Sequence, residues 1–167
     1  MQLVSIGCLE LKQNTSFTVP PMLLDTYLET RRLRVLLEGE GAATAATVAT
    51  ASEIESLDRV QARYTGAEEA HDIPGSLEWN RAFHLSLVEM SRSPTLVTFV
   101  ETLWLRSGPM LNALYPRVKP WQRETYRHDL VIDALRERNG EKARTAIQDD
   151  IIAGGWQLEV TLRGERL

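Results

Sequence analysis

A change of hydrophobic period near residue 21 limits the folds open to this chain. Before it, apolar side chains occupy alternate positions, at Leu9, Leu11, Phe17 and Val19. A period of two predicts a small β-hairpin, which Pro20-Pro21 ends. From Leu23 onward the apolar residues recur at helical spacing. The sequence therefore predicts an all-α antiparallel bundle preceded by a short hairpin.

Caps, glycines and prolines divide the helical part into six or seven helices. The first is expected from Leu23 to about Ala51, with Gly39 and Gly41 as points where it bends or splits. Ser52 with Glu55 fits a capping box that opens a helix to about Tyr64, before a polar loop. The remaining helices are expected at 75–91, from Ser93-Pro94 to a break or kink at Gly108-Pro109, from Pro120 to Asn139-Gly140, and from Glu141 to about Leu162 with a weak point at Gly154-Gly155.

Composition excludes several classes of protein. With 167 residues, 43% of them hydrophobic, the chain suits one globular domain. A net charge of −4 disfavours a free-standing nucleic-acid binder, and one cysteine, Cys8, excludes a disulfide framework. The sequence has neither an apolar run of about 20 residues nor a signal peptide at its start. These features lead us to expect a soluble cytoplasmic protein.

Ionisable and amide side chains lie on helix faces that otherwise carry apolar residues. These candidates are Arg34, Asn80, His84, His128 and Asp150. Burying an unpaired charge costs several kcal/mol, so inward polar groups are expected to pair or to bind a metal. Imidazole and carboxylate together are common ligands of divalent transition metals. An arginine beside them would pair with an anion, most simply a carboxylate.

Periodicity alone leaves simpler interpretations open. Each histidine could be a hydrogen-bonded core residue, and His71 belongs to a polar loop. Asp150 could cap a helix or pair with Arg34, and Asp149 could replace it if the register differs by one residue. A basic run such as Arg31, Arg32 and Arg34 most often forms a solvated or dimer-facing surface.

Several stretches, in order, resemble the FCD domain, the effector-binding domain of FadR-type regulators in the GntR superfamily. The resemblance covers roughly residues 23–162. It is carried by the runs 34–43 (RVLLEGEGAA), 80–84 (NRAFH), 90–94 (MSRSP), 127–140 (RHDLVIDALRERNG) and 143–150 (ARTAIQDD).

The predicted hairpin resembles the wing of the winged helix-turn-helix domain that precedes FCD domains. The resemblance therefore divides the chain into a wing remnant and linker over 1–21 and an FCD domain over 22–167. It implies that DNA is read only through an N-terminal head, most of which we expect to be missing from this chain.

The family resemblance also implies a homodimer, a central cavity, a divalent metal held by one Asp and three His, and a small carboxylic acid effector. His84 and His128 match two of the histidine ligands, and Arg34 matches the arginine that engages the effector. Asn80 stands in place of the Asp ligand and Asp150 in place of the third His. The charge of the ligand set stays at −1, and zinc or nickel is expected, with lower affinity because of the two departures.

The expected function is that of an effector-sensing domain, and no enzyme activity is expected. Trp79, Trp104, Met110 and Tyr115 are candidates for the pocket wall. One alternative is a metal-dependent helical-bundle enzyme, although the chain has no Glu-x-x-His pair of the di-iron type. The other is a metal-free interaction module, which a structure with both histidines bonded to backbone carbonyls and with no cavity would favour.

Overall fold

The N-terminal segment forms the predicted hairpin. The computed structural model describes residues 2–13, 16–21, 23–114 and 127–164. A short helix α1 (Gln2–Ser5) precedes the antiparallel strands β1 (Glu10–Lys12) and β2 (Ser16–Thr18), in which Leu11 lies opposite Phe17.

Helices make up the rest of the described structure, as expected for an all-α bundle. Six of the described helices have ten or more residues, and a shorter one follows. They are α2 (Leu24–Val48), α3 (Ala51–Glu69), α4 (Ile73–Glu89), α5 (Pro94–Leu114), α6 (Arg127–Arg136), α7 (Gly140–Gly154) and α8 (Trp156–Leu162). None of the described helices is both long and apolar enough to cross a membrane.

Helix α2 runs through its two glycines without splitting. A Cβ atom added to Gly41 would lie 3.1 Å from the side chain of Val88 on α4. The glycine therefore allows two helices to approach closely. Buried Ala42, Ala45 and Ala46 on the same helix contribute to the core shared with α7.

The capping box that opens α3 lies two residues before the predicted one. Thr50 accepts a hydrogen bond from the Glu53 backbone, and the Glu53 side chain accepts one from the Thr50 backbone. The prediction of Ser52 and Glu55 was wrong because the same S/T-x-x-E spacing occurs in both frames. The predicted loop over 65–74 was also too long, since α3 continues to Glu69 and α4 begins at Ile73.

Two further helix boundaries differ from the prediction. Helix α5 begins at Pro94 as expected and continues past Gly108-Pro109 to Leu114, so the break that was one of the two expected outcomes does not occur. The other outcome, a kink, is the usual effect of a proline inside a helix. Asn139 does not end α6; its side chain caps α7 by accepting from the Lys142 backbone. The predicted start at Pro120 lies outside the described residues.

The last predicted helix is divided at its glycine pair, as expected. Helix α7 ends at Gly154 and α8 starts at Trp156. The Tyr27 hydroxyl donates to the Gly155 carbonyl at 2.9 Å, which joins the break to α2. Helix α2 thus contacts α4, α5, α6, α7 and α8, and the candidate site lies among these helices.

Candidate functional site

Two buried histidines and a carboxylate from three helices meet in the core. The Oδ2 atom of Asp150 on α7 lies 3.2 Å from Nε2 of His84 on α4 and 3.6 Å from Nε2 of His128 on α6. One ligand atom from each residue lies within 4.8 Å of the others. Ligands bonded at about 2 Å to one ion lie roughly 3–4 Å apart. The two distances from Asp150 lie within that range, as the ligands of a single divalent cation would.

His84 is held by a buried glutamate from α2. Its Nδ1 lies 2.6 Å from Oε2 of Glu38, whose side chain is 0% exposed. The apolar period of α4, which also buries Phe83 and Leu87, turns His84 inward. Because the second nitrogen of His84 faces Asp150, the imidazole joins α2 to α7.

His128 is held in the same way by an amide. Its Nδ1 lies 2.7 Å from Oε1 of Gln61 on α3. The Phe83 ring stacks on the imidazole with centroids 3.8 Å apart and planes 9° apart. The Nε2 atom of His128 is buried and has no hydrogen-bond partner among the described residues. An unpartnered buried polar atom is costly, so this nitrogen fits the role of a metal ligand.

Burial and neighbouring charges shift the pKa values of Glu38, Asp150 and His84 in opposite directions. Burial raises the pKa of Glu38, but Arg34 and His84 outweigh it and lower that pKa to about 2. Burial likewise opposes ionisation of Asp150, yet His128 and His84 hold its pKa below the ordinary value. Burial lowers the pKa of His84, whereas Glu38 and Asp150 raise it more. The core therefore holds ionised carboxylates beside imidazoles, which is an environment that favours a cation.

Arg34 lies next to this cluster with its Nε atom already bonded. That atom donates to Glu38 Oε1 at 2.6 Å, and the Arg34 side chain is 12% exposed. The guanidinium carbon lies 3.8 Å from the centroid of Trp104, a cation–π contact. Among the described residues, Arg34 thus forms its ion pair with Glu38. The alternative in which Asp150 pairs with Arg34 is not what the structure has. Of the predicted wall residues whose side chains the structure describes, Trp104 lies at the site.

The remaining sequence candidates differ in outcome. Asn80 lies one helical turn before His84 and is partly buried, and its role as a ligand stays a prediction. Asp149 is exposed, so the register that favoured Asp150 is correct. His71 is exposed, as predicted. Trp79 packs under Arg63, whereas Tyr115 and the side chain of Met110 lie outside what the structure describes.

Two residues of the site were not singled out from the sequence. Glu38 follows Arg34 by four residues on one helix face, a spacing that predicts an ion pair. Gln61 continues the buried stripe of Ile54 and Leu57, a position that a polar residue rarely occupies without a partner. Glu38 and Gln61 are both polar residues on inward helix faces, but the histidine that each one contacts lies far away in sequence.

Both histidines form their Nδ1 hydrogen bonds with side chains. Imidazoles bonded to backbone carbonyls would have favoured the alternative of a metal-free interaction module. The two imidazoles bond instead to the side chains of Glu38 and Gln61, and their second nitrogens approach one carboxylate oxygen of Asp150.

Known proteins resemble this chain in sequence and fold. The FCD domain family matches residues 29–153. The HTH-type transcriptional regulator McbR of Escherichia coli strain K12 is 28% identical over 151 residues, which are 89% of this chain and 68% of McbR. The solved structure of E. coli McbR/YncC has a TM-score of 0.87 at 26% identity and covers 96% of this chain and 76% of its own.

A more distant structure supports the fold alone. Streptococcus agalactiae GntR has a TM-score of 0.65 at 20% identity, covering 91% of this chain and 76% of its own. The family match extends over well more than half of the residues, from α2 to α7. This chain therefore belongs to the FCD domain family.

Proposed function

We propose that this chain is the effector-sensing domain of a cytoplasmic GntR-type regulator. In this proposal His84, His128 and Asp150 hold a divalent metal, Asn80 supplies a fourth donor, and Arg34 binds a small carboxylic acid. The observation that carries the proposal is the approach of two buried imidazole nitrogens to one carboxylate oxygen, at 3.2 and 3.6 Å.

The donor atoms fit a borderline divalent cation. Two imidazole nitrogens and a carboxylate oxygen suit zinc or nickel, and an amide oxygen is a weaker neutral donor. His84, His128 and Asp150 carry a total charge of −1 when both histidines are neutral, which offsets part of the charge of the ion. When bound, the metal would supply a Lewis-acidic positive charge beside Arg34.

Arg34 is prepared to bind a carboxylate by the contacts it already makes. Glu38 engages Nε, and Trp104 supports the face of the guanidinium. A carboxylate ligand would use the terminal nitrogens of the planar fork, where charge-assisted hydrogen bonds are strong.

The output of the sensor would pass to DNA through a winged helix-turn-helix head. Residues 1–21 would supply the wing and linker, and residues 22–167 the sensor. We place the domain in a homodimer in which effector binding changes the relative orientation of two DNA-reading heads. An effector can shift that equilibrium only by its difference in affinity for the two arrangements.

A thermal-shift experiment tests the effector part of the proposal. A panel of mono-, di- and tricarboxylic acids is added to the zinc-loaded domain. An acid present at 100 times its Kd adds about 2.7 kcal/mol of stability. At roughly 2–4 °C per kcal/mol for a chain of this size, Tm should rise by about 5–11 °C.

Arg34→Lys keeps a positive charge beside Glu38 but removes the planar fork, so it should lose most of this shift. Arg59→Lys, at an exposed position, is the matched control and should keep it. A domain that responds to none of the acids, or an Arg34→Lys variant that responds fully, contradicts the assignment. The proposal assigns the site to binding, so turnover of a substrate by the metal-loaded domain would also contradict it.

A further inference from the structure

We infer that Glu38 and Gln61 are positioning residues that fix the tautomers of the two metal-binding histidines. Each would hold a proton on Nδ1 of its histidine, so that both Nε2 lone pairs point to the position beside Asp150. This inference rests on the proposed function, because it concerns how these residues support a bound metal.

Glu38 holds the Nδ1 proton of His84. Its side chain is fully buried and uses both oxygens, with Oε1 accepting from Arg34 and Oε2 lying 2.6 Å from His84 Nδ1. An ionised carboxylate can only accept hydrogen bonds. His84 must therefore donate from Nδ1, so its other nitrogen, 3.2 Å from Asp150, is the one at which a bound metal would replace a proton.

Gln61, which is 4% exposed, holds the Nδ1 proton of His128. Its Oε1 atom lies 2.7 Å from Nδ1 of His128, and its Nε2 atom lies 3.4 Å from Oγ1 of Thr65, a hydroxyl that can accept from it. An amide oxygen can only accept, so Nδ1 of His128 must be the donor. The Nε2 atom then keeps its lone pair, in agreement with its lack of a partner among the described residues.

Both assignments follow a pattern that recurs in metal sites. A ligating imidazole usually donates its second N–H to a carboxylate, carbonyl or water, which fixes the tautomer and the orientation of the ring. Removing such an acceptor typically lowers metal affinity by about 10–100-fold. Phe83, stacked on His128, limits rotation of that ring, so Gln61 is left mainly to fix the proton.

The experiment measures Zn²⁺ affinity by competition with a chelating indicator. Gln61→Met removes the acceptor at similar volume and is expected to weaken zinc binding by about 10–100-fold. Gln61→Glu restores an acceptor-only group and is expected to recover affinity to within a few-fold of the wild type. Gln148→Met is the matched control, because this partly buried glutamine donates to the Val35 carbonyl and not to a histidine.

Glu38→Gln provides a second test, because its single amide oxygen cannot accept from both Arg34 and His84. Zinc binding is expected to weaken, and a Glu38→Gln variant that binds zinc as tightly as the wild type would overturn the role of Glu38. The tautomers are read directly from ¹⁵N NMR of the histidine rings in the zinc-loaded wild type, which requires no variant. Both rings are expected to be protonated at Nδ1 and metal-bound at Nε2.

The outcomes separate this inference from the proposed function. A wild-type domain that binds no zinc overturns the proposed metal site itself. A wild type that binds zinc, with Gln61→Met binding equally well or with either histidine bound through Nδ1, overturns the positioning inference and leaves the metal site standing. Equal losses in Gln61→Met and Gln148→Met would also overturn it, because they would indicate a general effect on folding.

Discussion

Replacing Glu38 by leucine should destabilise the domain far more than replacing an exposed glutamate. Glu38 is fully buried, and its two oxygens engage Arg34 and His84. The substitution leaves a guanidinium that is 12% exposed without its anion and an imidazole N–H without its acceptor. Breaking a buried pair by removing one partner costs about 3–5 kcal/mol.

The slight exposure of Arg34 places the expected loss at the lower end, about 3 kcal/mol. For a chain of this length that loss corresponds to a decrease in Tm of roughly 6–12 °C. Urea unfolding of the metal-free domain, followed by circular dichroism, gives the free energy directly from the midpoint and slope. The comparison requires that Glu38→Leu keeps the slope of the wild type.

Two variants control for the identity of the residue. Glu137→Leu removes an exposed partner of Lys142 and should change stability by less than about 1 kcal/mol. The double variant Glu38→Leu with Arg34→Leu should recover part of the loss, because no unpaired charge remains buried. A loss below about 1 kcal/mol in Glu38→Leu alone would refute the reasoning, since the carboxylate would then not be holding both groups.

Three further predictions concern the fold. The hydrogen bond from Arg92 is the largest cause that lowers the pKa of Glu53 to about 2, from 4.5. The ionised Glu53 side chain therefore stabilises the folded state above pH 4.5, and this stabilisation is lost as the pH falls toward 2. In urea unfolding across this range, Glu53→Gln should differ most from the wild type at neutral pH, and a constant difference would contradict this. Gly140→Ala would place a Cβ atom 2.9 Å from the Ala43 carbonyl oxygen and should cost about 1–3 kcal/mol, whereas an unchanged Tm would exclude such close packing. Phe83→Ala removes a fully buried ring and should cost about 3–5 kcal/mol in the same assay, a result that a loss under 1 kcal/mol would disprove.

Much of the fold could be predicted because its signals are local. The change from a period of two to a helical period gave the hairpin and the bundle. Inward positions of His84 and His128 followed from the apolar residues around them, and so did the choice of Asp150 over Asp149. Each of these inferences needs only the spacing of residues along one helix.

Other features depend on information that a single helix does not contain. The capping frame at Thr50 and the one at Ser52 have the same spacing, and the end of α2 at Val48 decides between them. The partners Glu38 and His84 are 46 residues apart, and Gln61 and His128 are 67 apart. Helix packing brings these side chains together, so periodicity shows that they face inward but not which groups they meet.

The most direct test of the proposed sensor is the zinc stoichiometry of the purified domain, measured by equilibrium dialysis and elemental analysis. The wild type is expected to bind one ion per chain, and His84→Ala and Asp150→Ala are expected to lose it. His71→Asn, which changes an exposed histidine, should bind as the wild type does. A wild type without stoichiometric zinc, or a His84→Ala variant that retains it, would contradict the assignment of this cluster as a metal site.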